Sequence, residues 1–137
     1  MRFTAIEKRR DELILFARIL LAALFVVFGW TKLTDFSGTI DYIAAEGTPL
    51  PMISAVVAVV MEFFVGLSLV IGFFTRPLAL LLAIYTLGTA LIGHHFWTLA
   101  DGERIANMIN FYKNISIMGG LFLLSLTGAG KFSLDRE

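Results

Sequence analysis

The sequence has no cysteine, only three prolines, and charged residues at 16% of its 137 positions. The missing thiols exclude disulfides, thiol redox chemistry, iron–sulfur clusters and cysteine zinc sites within these residues. A soluble domain carries about a quarter charged residues. The formal net charge is zero and no long block of like charge occurs, so a nucleic-acid partner is not expected.

What the chain has in abundance is apolar side chains, 58% of the total, with a mean hydropathy of +0.83. They fall into four runs, 13–33, 52–74, 78–97 and 107–127. Runs near twenty residues match the hydrocarbon core of a bilayer. The expected fold is therefore all-α, a polytopic membrane protein with a four-transmembrane-helix bundle forming a single domain over 1–137. The first run holds Arg18 and shows no small-x-small cleavage site after Gly29-Trp30-Thr31-Lys32, so it is read as a span and not as a secretory signal. Between the first two runs, Phe36, Ile40 and Ile43 recur at helical spacing, Asp35 can cap the start, and Gly47, Pro49 and Pro51 stop it. This predicts a short amphipathic interfacial helix. Basic residues flanking the spans set orientation. Arg2, Lys8, Arg9, Arg10, Arg76, Lys131 and Arg136 lie on the N-terminal side, against Lys32, Arg104 and Lys113 on the other. That asymmetry predicts cytoplasmic termini.

One carboxylate, Glu62, sits in the middle of the second run, about 15 Å from either surface at 1.5 Å per residue. An ionised acid at that depth costs a few kcal/mol or more, so it needs a proton, a cation or water. Glu62 is the candidate for any catalytic or proton-handling role. Ala55, Ala58, Glu62, Gly66 and Leu69 share one narrow face, and Arg18 and Lys32 share a stripe of the first span. Arg18 is the expected partner of Glu62, reaching inward or snorkelling outward. Lys32, His94, His95, Asn107, Asn110, Lys113 and Asn114 fall in the outer half and form the expected binding or relay mouth. Each has a plainer reading. Adjacent histidines point about 100° apart and cannot chelate one metal together, so no metal site is expected. The three asparagines also suit interhelical hydrogen bonding. An Arg18–Glu62 pair also suits the fixing of helix register.

The segments ARILLAALFVVFGWTKL, AVVAVVMEFFVGLSLVIGFFTRPLA, YTLGTALIGHHFW, NMINFYKNISIMGG and the terminal SLDRE resemble the DoxX and DoxD-like membrane proteins, and among them the YphA-like bacterial inner-membrane branch. The resemblance spans nearly the whole chain. It implies a four-helix inner-membrane protein with Arg18, Lys32, Glu62, Arg76 and Asn114 at family-like positions. Related DoxD proteins are membrane subunits of a thiosulfate:quinone oxidoreductase, and some DoxX proteins are linked to membrane oxidoreductase and oxidative-stress complexes. The functional expectation is a subunit that binds a quinone or another small amphiphile and serves a soluble oxidoreductase partner, as a monomer or homo-oligomer in the bilayer. Two alternatives stand beside it: a small proton-coupled transporter or solute binder, and a structural or assembly protein without its own activity.

Overall fold

The computed structural model describes residues 4–135; Arg2 and Arg136 of the charge asymmetry lie outside them. Among the described residues, four helices are long and apolar enough to cross a membrane: Arg10–Thr34, Pro51–Ile71, Thr75–Thr98 and Asp101–Thr127. A five-residue helix, Thr4–Lys8, precedes the first span. The interfacial helix forms over Phe36–Ala45, and Asp35 caps it by accepting a hydrogen bond from the Gly38 N–H at 3.1 Å. It does not lie free on the surface, however. It folds back against the start of the second span and roofs the end of the first.

Span ends differ from the hydropathy runs for identifiable reasons. The fourth helix starts at Asp101 instead of near 107. Its 27 residues rise about 40 Å, more than the bilayer core, so the polar Asp101–Ala106 turns project into the headgroup region. The third helix starts at Thr75, with Pro77 inside its first turn, where a missing N–H costs no intrahelical bond. Its regular part stops at Gly93, so His94 and His95 sit in a bend before a short 3-10 turn, Phe96–Thr98, and do not close the helix.

Packing follows the logic of a protein solvated by lipid. The buried positions are mostly small, among them Ala22, Ala55, Ala58, Ala79, Ala83 and Ala90, while Phe16, Leu20, Ile84, Leu123 and Leu126 face outward. Lipid tails solvate the large side chains, and small ones let helix backbones approach. Leu69, Leu82 and Leu121 join Ala22, Ala79 and Ala83 in a core shared by all four spans. The third and fourth spans form the most extensive pair, and the first packs chiefly on the second.

Arg18 is 1% exposed and does not meet Glu62. Its guanidinium donates to three backbone carbonyls: Val70 at 3.0 Å, Phe132 at 2.7 Å and Ala129. The expected Arg18–Glu62 pair is thus corrected. Arg18 instead fastens the C-terminal segment to the end of the second span. Asp135 completes the fastening by accepting from the Phe74 and Thr75 N–H groups at 2.7 and 2.8 Å, which caps the third helix. Burial works to raise the Asp135 carboxyl, but hydrogen bonds from Thr75 and Phe74, with Arg18 nearby, outweigh it and hold it below its ordinary value.

Candidate functional site

Glu62 sits where the second span widens into a π-helical turn, Val60–Val65. Such turns are rare and concentrate at functional positions. The widening places Met61, Glu62 and Val65 all on the buried side. Gly29 of the first span packs directly on this turn: a Cβ there would fall 2.8 Å from the Glu62 carbonyl carbon and closer still to the Phe63 nitrogen. This close approach sets the register of the two helices.

That register selects the cation. Lys32 lies one turn beyond Gly29, about 4.5 Å along the axis, whereas Arg18 lies eleven residues before it, about 16 Å away. Lys32 Nζ accordingly donates to Glu62 Oε2 at 2.7 Å, while the Tyr85 hydroxyl donates to Oε1, also at 2.7 Å. Both carboxylate oxygens are therefore held, and Glu62 is 9% exposed. A charge-assisted, two-sided clamp of this kind satisfies an ionised acid inside a membrane. The short helix closes over Lys32: its buried Thr39 hydroxyl donates to the Asp35 carbonyl at 2.8 Å and lies 3.4 Å from the Lys32 carbonyl.

Beside the clamp is a cavity of 560 Å³. Lys32, Glu62 and Tyr85 form its polar floor, Thr89 and His94 line its outer part, and Tyr42, Glu46 and Thr48 border it from the short helix and the following loop. His94 Nδ1 pairs with Asn107 Oδ1 at 3.1 Å, which orients the ring. Asn114 donates to the Thr89 hydroxyl at 3.4 Å, bracing the cavity wall from the fourth span. Of the expected site residues, the central Glu62 and, from the mouth, Lys32 and His94 line the cavity, and Asn107 and Asn114 support it from behind.

The others are elsewhere. His95 Nδ1 pairs with the Thr98 hydroxyl at 2.7 Å within the bend. Lys113 donates to Asn110 at 2.9 Å on the exposed side of the fourth span, away from the floor. Arg18 is at the opposite end of the bundle, in the tail fastening described above. Tyr85 and Asp135 were not singled out by sequence reasoning. Tyr85 had a readable signal: it stands ten residues after Thr75, and Glu62 nine residues before Ile71, so the two flank one tight turn at equal depth.

The fold and the clamped acid define a polytopic four-helix membrane protein with a cavity built around an intramembrane Lys–Glu–Tyr triad. The DoxX family model matches residues 13–95, and the chain belongs to the DoxX family. The matched segment holds Lys32, Glu62, Tyr85 and His94. The chain is 48% identical over 137 residues to inner membrane protein YphA of Escherichia coli K12, covering 100% of this chain and 98% of that one. It is 42% identical over 130 residues to inner membrane protein YqjF of the same strain, covering 95% of each. A more distant likeness, 24% identity over 96% of this chain, links it to 35% of the ER-derived vesicles protein ERV29 of Saccharomyces cerevisiae. No solved structure matches.

Proposed function

We propose that the protein is an inner-membrane subunit that holds a quinone or similar small amphiphile beside Glu62, for use by a separate oxidoreductase partner. The supporting observation is the cavity with a charged floor. Its 560 Å³ falls within the roughly 300–1,000 Å³ of small-molecule sites, and its few polar groups converge at one end. An ammonium has three donors, and Lys32 gives one to Glu62. The remaining N–H groups suit a carbonyl or similar acceptor on the ligand. Reduction of a bound quinone would take its electrons from the partner and its two protons from water by way of Glu62, which would be protonated and release the proton in turn. The names of the two E. coli relatives support an inner-membrane location, and the basic flanks support cytoplasmic termini.

The direct test is a binding titration in lipid nanodiscs on a Trp97→Phe background, with a decyl-substituted benzoquinone as the probe. Trp30 is then the remaining indole, its ring 5.6 Å from that of Phe63, the residue after Glu62. Saturable quenching, weakened at least tenfold by Glu62→Gln, is expected. Quenching that rises linearly and equally in both proteins would sink the proposal.

A second reading rests on the clamp itself. With both Glu62 oxygens satisfied from neighbouring spans, the triad also serves as a register pin. On that reading alone, Glu62→Gln alters stability and no ligand binds.

A further inference from the structure

The shape of the cavity bears on how a ligand reaches it. At the π turn and below, the second and third spans pack on each other through Met61, Val65 and Leu82. Above it they diverge. The cavity walls there are Ile53 and Val57 on one side and Gly88 and Ile92 on the other. Ile53, Val57 and Ile92 are exposed although they line the cavity, so it is open along these walls, between two helices long and apolar enough to cross the bilayer. The cavity thus runs sideways from its polar floor to the lipid-facing surface.

Gly88 gives this gap its width. A glycine inside a helix is destabilising relative to alanine. Gly29 has a reason to be glycine, since another backbone lies against it. Gly88 has no such neighbour: among the described residues, and apart from its own helix backbone and chain neighbours, a Cβ there would meet no atom within 4 Å. It stands one turn beyond Tyr85, about 4.5 Å along the axis, on the same cavity wall. What its missing side chain leaves is open space directly above the polar floor.

We infer that the ligand enters from the bilayer through this gap, with a hydrogen-bond-accepting head on the remaining N–H groups of Lys32, beside Tyr85, and an alkyl or prenyl tail between Ile53, Val57, Gly88 and Ile92. This rests on the ligand site proposed above and adds its route and the tail requirement. Water-soluble molecules with the same head lack the part that fills the gap. Gly88 is a specificity residue on this account, admitting a chain-bearing head that a larger side chain would block.

The experiment compares decyl-benzoquinone with methyl-benzoquinone in nanodiscs, each corrected for partition into the lipid, using wild type, Gly88→Phe and Glu62→Gln. The expected result is at least tenfold tighter binding of the decyl probe to wild type, and a loss of at least tenfold in Gly88→Phe with an unchanged unfolding temperature. Should Gly88→Phe fail to fold, the decyl-to-methyl ratio in wild type still decides. Equal affinity for the two probes, or full decyl binding by Gly88→Phe while Glu62→Gln loses it, overturns the lateral route and leaves the site standing. Binding of neither probe to wild type removes the site and the route together.

Discussion

Lys32 Nζ lies 2.7 Å from Glu62 Oε2, joining the end of the first span to the middle of the second. Lys32 is about a quarter exposed and Glu62 about an eighth at the side chain, so neither charge is well hydrated without the other. Removing one partner of a buried pair costs about 3–5 kcal/mol, because the remaining charge is stranded. Lys32→Met should therefore lower the unfolding temperature clearly. The double variant Lys32→Met/Glu62→Gln should recover most of that loss. A double variant as unstable as the single one would show that the pair is not the unit that matters.

Tyr85→Phe removes only the donor to Oε1 while keeping the ring. A hydrogen bond to a charged group contributes about 1.5–3 kcal/mol. The variant should be destabilised by that amount in wild type and by much less in Glu62→Gln. Equal losses in both backgrounds would place the Tyr85 contribution in packing.

Gly29→Ala should be more damaging than its size suggests. The added methyl would sit 2.8 Å from the carbonyl carbon of Glu62, and backbone cannot step aside as a flexible side chain can. Overpacking of this kind costs typically 1–3 kcal/mol. Because the same contact sets the helix register, Gly29→Ala should also weaken the Lys32–Glu62 pair, read as a reduced coupling in a double-mutant cycle. Gly88→Ala, whose new methyl would meet no atom within 4 Å among the described residues apart from its own helix backbone and chain neighbours, should unfold at the wild-type temperature or slightly above.

The tail fastening carries its own pH dependence. Asp135 is held below its ordinary value in the folded chain, so its contribution is fully present above about pH 4, the ordinary carboxylate value. It is lost as the pH falls through the lower, folded value. Wild type should exceed Asp135→Asn in unfolding temperature at neutral pH, and the two should converge as the solution is acidified below that point. A gap that persists unchanged in acid would remove Asp135 ionisation from the account. Arg18→Lys should loosen the same segment, because an ammonium cannot span the Val70, Ala129 and Phe132 carbonyls as a planar guanidinium does. Faster proteolysis near Lys131 is the readout.

The four spans were legible because each is a long apolar run, and lipid enforces helices there. Asp35 as a cap and the small-residue face around Glu62 were legible for equally local reasons. The partner of Glu62 was not. Counting residues from span ends favoured Arg18, but the relative height of two helices is set by where they touch, here Gly29 on the π turn. The π turn itself leaves no mark in the apolar pattern. The outer polar residues looked alike in sequence, and only the bend after Gly93 separates His94, which enters the cavity, from His95, which bonds within the bend. Arg18 looked like a charge seeking an acid; its partners are backbone carbonyls, which sequence does not distinguish.

We propose that the space beside the Lys32–Glu62–Tyr85 clamp holds a membrane-soluble ligand. Native mass spectrometry of the protein, extracted gently from membranes and compared with Gly88→Phe, tests it most directly. A bound amphiphile with an acceptor head and a hydrocarbon tail is expected in wild type, depleted in the variant. The same adduct at the same occupancy in both proteins, or none in either, would contradict it.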